Sequence, residues 1–277
     1  MAGHRRSAPN HAGAHFLRDH SVAAELVRRS GVRPGDLVLD LGAGSGAITA
    51  PLLAAGARVV AVEHDAHLVR RLERHFAGAP VTVVHGDLLR VPLPRRRYAV
   101  VASIPFGTTA ALLHRLLDDP GRVPERVELL IEWGMARRLT AARPRDLATA
   151  WWAARFDLRL HRRVPAACFR PPPGVDAAHL SIRPRPLAGE PRGQRLLRSM
   201  LRIGFARPDV PLLTIAAGTP AGASRSHRAL RRLLATAGVD PAIPAAAATA
   251  TQWHDLAVAL LHAQVTPAGQ LTPSHSR

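Results

Sequence analysis

The stretch from Val38 to Gly46 constrains the fold of this chain more than any other segment. It reads Val-Leu-Asp-Leu-Gly-Ala-Gly-Ser-Gly, so that branched apolar residues flank Asp40 and run directly into glycines at alternate positions. This order is typical of a buried parallel strand that passes through a tight turn into a helix. Glycines leave the backbone amides at the start of that helix open to a ligand, and adenosine-bearing cofactors commonly bind there. A nucleotide or nucleoside cofactor is the first hypothesis; a turn that needs glycine for steric reasons alone is the alternative.

A second acidic residue supports the cofactor hypothesis. Residues 58–63 predict the next strand, and Glu63 ends it at the offset of about 20 residues where a carboxylate can accept both hydroxyls of a ribose. Gly42, Gly44 and Ala47 also fit the dinucleotide fingerprint, so this segment alone leaves a nicotinamide-dependent dehydrogenase open. The chain offers no recognisable acid or base for hydride transfer, which disfavours that alternative.

The charge of the chain indicates a polyanionic partner. Of its 277 residues, 38 are basic and all of these are arginine, whereas 20 are acidic, and the formal net charge is +18. Arginine presents a planar fork of donors that suits phosphate, so nucleic acid is the natural partner. Translation of a GC-rich genome would explain arginine in place of lysine. It would not explain the excess of basic over acidic residues.

Composition also excludes several classes of protein. The single Cys168 cannot form an internal disulfide, and the 15 histidines lack the close pairing typical of zinc sites, so no metal is expected. The N-terminus is basic but lacks the apolar region of a signal peptide, and no apolar run of about 18 residues could span a membrane. The apolar fraction of 47% is ample for a core. The sequence thus predicts a soluble cytoplasmic protein, and nothing in it indicates an obligate protein partner.

Two further predicted strands end at the same edge of the sheet as the glycine turn. Residues 81–84 lead into Gly86-Asp87, and residues 98–102 lead into a Ser-Ile-Pro-Phe segment, 103–106. Ligands of open α/β sheets bind outside the carboxyl ends of the strands. Asp87 can accept from an adenine amino group there, or it can be a turn aspartate. Phe106 can stack on a flat substrate, or it can belong to the core.

The chain divides into four predicted parts. Residues 1–13 lack periodicity and predict a basic flexible arm, and residues 14–186 predict a Rossmann-like domain of alternating strands and helices. A Pro-Arg-Pro boundary at 184–186 introduces a small all-helical domain over residues 187–265. Residues 266–277 predict a disordered tail.

Several predicted helices carry one apolar and one arginine-rich face, which can bind RNA or can be a solvated surface. The candidate RNA-binding residues are Arg137 and Arg138 on a helix over 133–142, Arg195, Arg198 and Arg202 on a helix over 192–205, and Arg228 on a helix over 227–237. We expect them to line a cleft for folded RNA from which one base is extruded. Trp151 and Trp152 are expected in the core.

Taken in order, these motifs resemble the Erm family of 23S rRNA adenine-N6 methyltransferases, whose near relatives are the KsgA-type dimethylases of small-subunit rRNA. The matching segments are 15–17, 40–46, Glu63, 86–87, 103–106, 169–176 and Gln252-Trp253 with Leu256. The resemblance covers most of the chain. It implies an α/β, Rossmann-like S-adenosylmethionine-dependent methyltransferase domain followed by a small C-terminal all-helical domain.

The resemblance also implies roles for individual residues. The cofactor would be bordered by His15, Leu17 and Ser103, with its methionine part at Gly42 and Gly44, its ribose at Glu63 and its adenine at Asp87. Catalytic roles would fall on Ser103, Ile104, Pro105, Phe106 and Phe169. Ser103 and the Ile104 backbone would hold the target N6, Phe106 would stack on the flipped adenine, and Phe169 would close over the methyl donor or the target base. Because the lone pair of the adenine amine is delocalised, such catalysis works through positioning.

Two residues depart from the family pattern. Ala14 replaces the usual Gln, and Ser103 replaces the usual Asn of the Asn-Ile/Leu-Pro-Tyr/Phe motif. A serine hydroxyl is shorter than an asparagine side chain and can donate as well as accept. The rate of transfer and the choice between one and two methyl groups therefore stay open.

The sequence as a whole favours N6-methylation of an adenine in the peptidyl-transferase loop of 23S rRNA, either naked or in an assembling large subunit. Resistance to macrolides, lincosamides and type B streptogramins would follow. A KsgA-like 16S rRNA dimethylase is the nearest alternative, disfavoured by the Leu-Gly-Ala-Gly turn and the Glu132-Trp133 segment. A non-catalytic RNA-binding ribosome assembly factor is a further alternative, for which Ser103 is the one support.

Overall fold

The structure, a computed structural model, describes residues 15–119 and 121–265. The predicted basic arm at 1–13 and the predicted disordered tail at 266–277 lie outside these residues. The strands are β1 Phe16–Leu17, β2 Leu37–Leu41, β3 Arg58–Glu63, β4 Val81–His85, β5 Ala99–Ser103, β6 Arg126–Glu132, β7 Phe156–Val164, β8 Phe169–Arg170 and β9 Ala177–Pro184. The helices are α1 His20–Ser30, α2 Thr49–Ala54, α3 Ala66–His75, α4 Thr109–Leu117, α5 Trp133–Leu139, α6 Leu147–Arg155, α7 Pro191–Ala206, α8 Leu212–Ala217, α9 His227–Thr236 and α10 Ala250–Val265.

A seven-stranded sheet in the order β4-β3-β2-β5-β6-β9-β7 forms the centre of the first unit. The neighbours from β4 to β6 are parallel, and β9 runs antiparallel to β6. All five residues of β2 are buried, as expected for a central strand that is covered on both faces. The chain proceeds from β2 toward β4 on one side and from β5 toward β6 on the other. The β2/β5 pair is therefore the switch point at which ligands of such sheets bind, and these strands carry the glycine turn and the 103–106 segment.

Local sequence explains where the helices beside this sheet begin and end. Asp19 caps α1 by accepting from the backbone amides of Ser21 and Val22, and Gly31 ends that helix in the left-handed region with φ of 63°. Asp65, two residues after Glu63, caps α3 in the same way by accepting from the backbone amides of His67 and Leu68. The predicted strands and amphipathic helices are confirmed, and the helix predicted over 133–142 is shorter, because α5 ends at Leu139.

The chain divides into two compact units, Met1–Thr140 with Asp157–Pro184 and Ala141–Phe156 with Arg185–Arg277. The second unit differs from the predicted helical domain because it also contains α6, which packs against α7 and α10. Trp151 and Trp152 lie on α6 and are buried, as predicted. Their apolar surface is buried against these partner helices, so the segment Ala141–Phe156 belongs to the helical unit although it lies between two parts of the first unit in sequence. None of the described helices is long and apolar enough to cross a lipid bilayer.

Candidate active site

The glycine turn after β2 folds back onto the end of β3. The backbone amides of Gly42 and Ala43 donate to the Val62 carbonyl at 2.8 and 2.9 Å, and the amide of Gly44 donates to Oε2 of Glu63 at 2.9 Å. Gly42, Gly44 and Gly46 have φ of 80°, 55° and 88°, a region that favours glycine. The two motifs that the sequence linked only by spacing therefore share a direct hydrogen bond.

The Glu63 carboxylate accepts hydrogen bonds from the backbone amides around this turn. Its side chain is buried, and Oε1 accepts from the backbone amides of His64 and Asp65 at 2.8 and 2.9 Å. Oε2 accepts from Gly44. A carboxylate oxygen can accept two hydrogen bonds, so Oε2 keeps an acceptor site for a ligand hydroxyl.

A two-stranded ladder of β1 and β8 lies against this turn. Leu17 pairs with Phe169 and Phe16 pairs with Arg170. His15 is fixed beside them, since its Nδ1 lies 2.9 Å from the carbonyl oxygen of Pro171. Spacing in the sequence gave no sign of this ladder, because more than 150 residues separate the two strands.

The ladder places Phe16 directly over Gly44. A Cβ atom added to Gly44 would lie 2.9 Å from Cδ1 of Phe16, closer than side chains allow. We expect Gly44→Ala to destabilise the protein by about 1–2 kcal/mol through this clash and the positive φ, and to weaken cofactor binding because the turn must shift. Calorimetric titration with S-adenosylhomocysteine and thermal unfolding measure both effects.

Gly174→Ala is the matched control for this prediction. A Cβ added there would meet no atom of the described residues within 4 Å, and φ of Gly174 lies outside the left-handed region. Equal behaviour of the two variants would contradict the importance of the Phe16–Gly44 contact.

The 103–106 segment leaves two acceptors at the end of β5. The amide of Ile104 donates to the Leu130 carbonyl at 3.3 Å, whereas neither the Ile104 carbonyl nor the Ser103 hydroxyl hydrogen-bonds to another residue within the described ranges. The amide of Thr108 donates to the Pro105 carbonyl at 3.0 Å, and the Thr109 hydroxyl donates to the Phe106 carbonyl, also at 3.0 Å. These bonds fix the turn while the two acceptors stay available.

The glycine turn, the ladder and the 103–106 segment surround one cavity at the switch point. Ten predicted residues line it: His15, Leu17, Gly42, Gly44, Glu63, Ser103, Ile104, Pro105, Phe106 and Phe169. The ring centroids of His15 and Phe106 are 6.1 Å apart, and Phe106 is half-buried whereas Phe169 is buried. Lining residues without a predicted site role are Phe16, Asp40, Ala43, Ser45, Ala47, Ile48, His64, Asp65, Leu68 and Leu88. Most of these residues lie next to a predicted residue in the sequence. Including the residues on either side of each motif would therefore have identified them.

Asp40 is a buried carboxyl in the wall of this cavity. Its Oδ2 accepts from the Thr49 hydroxyl at 2.7 Å, whereas its Oδ1 is buried and has no hydrogen-bond partner among the described residues. Burial raises the pKa of Asp40 to about 7, and the nearby Glu63 adds to the shift. The carboxyl is therefore poised between its neutral and charged forms near neutral pH.

Asp87 does not line the cavity, although its neighbour Leu88 does. Its Oδ1 accepts from the amide of Leu89 at 2.8 Å, as in a turn aspartate. Its Oδ2 lies 3.5 Å from Nε of the exposed Arg90. Contact between Asp87 and a cofactor adenine stays a prediction.

The charges of the lining residues distinguish the candidate cofactors. Asp40, Glu63 and Asp65 are acidic, and none of the arginines within residues 15–119 and 121–265 lines the cavity, although 38 arginines occur in the chain. A dinucleotide would bring its pyrophosphate next to these carboxylates without a balancing cation. S-adenosylmethionine carries a sulfonium and an ammonium group, so acidic residues and apolar walls such as Ile48 and Leu88 fit it. The site thus fits the cationic nucleoside better than the dinucleotide.

All six candidate RNA-binding arginines are exposed. Arg137 and Arg138 lie on α5, directly after β6, while the other four lie on α7 and α9 of the second unit. None of the six forms an ion pair with another described residue. Arg198 also stacks on Trp151, with its guanidinium carbon 4.9 Å from the ring centroid.

A cluster that the sequence did not reveal lies on β6, β7 and β9. The ligand-type atoms of Glu128, His161 and His179 lie within 4.8 Å of one another. However, Arg183 donates to Oε1 of Glu128 at 2.6 Å, and NH1 of Arg29 lies 3.4 Å from Nδ1 of His161. These guanidinium groups disfavour a further cation, and the cluster forms a hydrogen-bonded network in which His179 bonds to Oε2 of Glu128 at 2.5 Å.

Comparison with known proteins gives one family. The sequence profile described as ribosomal RNA adenine dimethylase matches residues 6–258. A ribosomal RNA small subunit methyltransferase A from a Synechococcus species is 37% identical over 94% of this chain and 98% of its own length. The mycinamicin-resistance protein MyrB of Micromonospora griseorubida is 40% identical over 62% of this chain and 55% of its own length.

A solved structure agrees with these sequence relatives. The crystal structure of 23S rRNA methyltransferase ErmE superposes with a TM-score of 0.72 at 26% identity, covering 88% of this chain and 99% of ErmE. The expected α/β, Rossmann-like fold with a helical second unit is therefore confirmed. The chain belongs to the ribosomal RNA adenine dimethylase family, and it is an rRNA adenine-N6 methyltransferase that uses S-adenosylmethionine.

Proposed function

We propose that the protein methylates N6 of an adenine in the peptidyl-transferase loop of 23S rRNA and thereby confers resistance to macrolides, lincosamides and type B streptogramins. The observation that carries the proposal is the acidic cavity at the β2/β5 switch point, whose described lining residues include the acceptors of Ser103 and Ile104 and the ring of Phe106 but no arginine. Such an arrangement suits a cationic methyl donor on one side and a flat base with an amino group on the other.

On the cofactor side, each residue has a binding role. Oε2 of Glu63 would accept from a ribose hydroxyl, and the turn at Gly42 and Gly44 would receive the methionine part. His15 and Leu17 would border the cofactor from the β1/β8 ladder, and Asp87 would turn toward the adenine from the neighbouring loop. S-adenosylmethionine supplies a methyl group on an electrophilic sulfonium.

On the target side, the residues hold the amine in position. The Ser103 hydroxyl and the Ile104 carbonyl would accept from the two protons of N6, which aligns its lone pair with the methyl group. The turn at Pro105 would direct Phe106 onto the flipped adenine, and Phe169 would cover the reacting groups and exclude water. A hydroxyl acceptor is shorter than the family asparagine, so the number of methyl groups added is part of the test.

The exposed arginines would bind the RNA backbone. Arg137 and Arg138 would contact phosphates beside the catalytic edge, and Arg195, Arg198, Arg202 and Arg228 would contact a further stretch of folded RNA. Methyl transfer should therefore fall steeply as the salt concentration rises. An rRNA substrate, naked or in an assembling large subunit, also implies action in the cytoplasm.

The choice of 23S rRNA rests on two relatives. ErmE, named as a 23S rRNA methyltransferase, has a similar fold over nearly its whole length, and MyrB is named for mycinamicin resistance. The second candidate is the small-subunit rRNA, favoured by the Synechococcus relative, which is similar over 94% of this chain.

The experiment is transfer of labelled methyl groups to protein-free 23S and 16S rRNA, with the modified base located by mass spectrometry. N6-methyladenine in the peptidyl-transferase loop of 23S rRNA would support the proposal and show whether one or two methyl groups are added. Label confined to 16S rRNA would overturn it in favour of the second candidate. RNA binding without label in both the wild type and Ser103→Asn would favour the assembly-factor alternative.

Phe106→Ala tests the target side of the site. Because base–aromatic stacking contributes roughly 1–3 kcal/mol per base, we expect the rate of transfer to fall about 10- to 100-fold. The affinity for S-adenosylhomocysteine should change little, since Phe106 is proposed to face the target base. Phe106→Tyr, which keeps the stacking surface, is the control. An unchanged rate in Phe106→Ala would remove this residue from the target site.

A further inference from the structure

Arg115 lies on α4 and reaches the loop that follows β4. Its NH1 donates to the carbonyl of Leu89, and its NH2 donates to the carbonyl of Val91. A planar guanidinium can hold two carbonyls at once, which a single ammonium group cannot do with the same geometry. The fork therefore fixes the loop at two points.

The loop held by Arg115 forms part of the cavity wall. Leu88 lines the cavity, and its Cδ2 would lie 3.6 Å from a Cβ atom added to Gly42. Inside the loop, the amides of Arg90 and Val91 donate to the Asp87 carbonyl at 2.8 and 3.0 Å. The loop is thus tightly folded on its own, and the two hydrogen bonds from Arg115 connect it to α4.

Within the described part of the chain, Arg115 bonds to the two loop carbonyls, and its charge also acts on the hydroxyl of Tyr98. It forms no ion pair with a described carboxylate, and its half-buried side chain includes a buried Nε without a hydrogen-bond partner. Placement of a guanidinium there is costly unless its remaining donors are well used. The two loop carbonyls are its hydrogen-bond acceptors within the described residues.

The helix α4 connects the loop to the target-side segment of the proposed active site. The helix starts at Thr109, immediately after the short 3-10 turn Phe106–Thr108 that follows the target-side segment. The same helix therefore begins beside the proposed target base and, two turns later, holds the loop beside the proposed cofactor adenine.

We propose that Arg115 is a positioning residue that holds the loop 86–91 in the conformation that binds the adenosine part of the cofactor. The proposal rests on the cofactor roles proposed above for Asp87 and for the cavity wall at Leu88. It is independent of which rRNA is methylated.

The test is the affinity for S-adenosylhomocysteine, measured by calorimetry without RNA. Loss of hydrogen bonds from a charged group predicts about tenfold weaker binding in Arg115→Met, and a smaller loss in Arg115→Lys. In assays of methyl transfer, KM for S-adenosylmethionine should rise by a similar factor, while kcat should stay within about twofold. Hydrogen exchange in peptides covering 86–92 should become faster, with the sheet strands unchanged.

Two control variants separate positioning from general destabilisation. Arg71→Met removes an exposed arginine from α3 and should bind like the wild type. Ser30→Ala removes the hydrogen bond from its buried hydroxyl to the Val27 carbonyl at 2.5 Å, so it lowers the stability of the same unit at a position on a different helix, α1. In an Asp87→Ala background, the additional loss from Arg115→Met should shrink to less than about twofold, because both changes act through the same loop.

Unchanged affinity in Arg115→Met would overturn the proposal, as would an equal loss of affinity in Ser30→Ala. If Arg115→Met does not fold, Arg115→Lys decides by the same measurement. The binding assay contains no RNA and compares each variant with the wild type. Its outcome therefore does not depend on whether 23S or 16S rRNA is the substrate. If the wild type binds S-adenosylhomocysteine and the Arg115 variants bind it equally well, the proposed cofactor site stands and only the positioning role of Arg115 is wrong.

Discussion

Replacing Glu63 with glutamine is expected to weaken S-adenosylmethionine binding about 100-fold. The substitution would alter two charge-assisted hydrogen bonds of the Glu63 carboxylate, one to the ribose and one to the glycine turn. At roughly 1.5 kcal/mol for each bond, the loss of binding free energy is about 3 kcal/mol. The carboxylate now accepts from three backbone amides, those of Gly44, His64 and Asp65. A glutamine side chain must turn its NH2 group toward at least one of these donors. The turn therefore loosens at the point where the cofactor binds.

Calorimetric titration with S-adenosylhomocysteine measures this effect directly. Glu73→Gln is the matched control, because Glu73 lies on the adjacent α3 and is exposed, so its affinity should equal that of the wild type. If Glu63→Gln binds within about threefold of the wild type while remaining folded, Glu63 is not the ribose acceptor, and the cofactor orientation proposed here is wrong.

Asp40→Asn is expected to raise the free energy of unfolding of the ligand-free protein at pH 8 by up to about 4 kcal/mol. This is the free energy that corresponds to raising the pKa of the carboxyl from 3.8 to about 7 on folding. The pKa of Asp40 is raised by burial from 3.8 to about 7, so the folded state holds its proton more tightly than the unfolded state does. The stability that this carboxyl contributes is fully present below about pH 4 and is lost as the pH rises to about 7. Asparagine keeps an acceptor for Thr49 and removes the charge.

Denaturant unfolding of both proteins between pH 4 and pH 8.5 tests this prediction. The difference in free energy of unfolding should grow with pH and level off above about pH 7, because the folded wild type is then ionised. Other titrating groups are common to both proteins and cancel in the difference. Parallel curves would show that the pKa of Asp40 is not raised in the folded state.

The same carboxyl connects stability to cofactor binding. A cationic ligand in the cavity favours the charged form of Asp40, so the affinity of the wild type for S-adenosylmethionine should rise between pH 6 and pH 8. Asp40→Asn should lose this pH dependence and bind more weakly at pH 8. Greater stability combined with weaker binding would identify Asp40 as a residue retained for function at a cost in stability.

The sequence alone predicted those parts of the molecule in which a local pattern carries the structure. Apolar runs that end in glycine or proline identified β2 and β5, and the offset of Glu63 from the glycine turn marked this carboxylate as a candidate ribose acceptor. The hydrogen bond between Gly44 and Glu63 became visible only in the structure. Because parallel strands end at one edge of a sheet, knowledge of the strands placed the glycine turn, Glu63 and the 103–106 segment together. The lining residues His15, Leu17 and Phe169 followed only from the family resemblance. The arginine-rich faces of α7 and α9 followed in the same way from helical periodicity.

Only the tertiary structure determined the contacts that join distant parts of the chain. The pairing of Leu17 with Phe169, the fork of Arg115 on the loop after β4 and the network around Glu128 each link segments that no local pattern relates. The burial of Oδ1 of Asp40 without a hydrogen-bond partner among the described residues likewise depends on what surrounds it, since the sequence names a residue but not its neighbours. Periodicity specifies which face of an element is buried, whereas the partner on that face depends on how all the elements pack together.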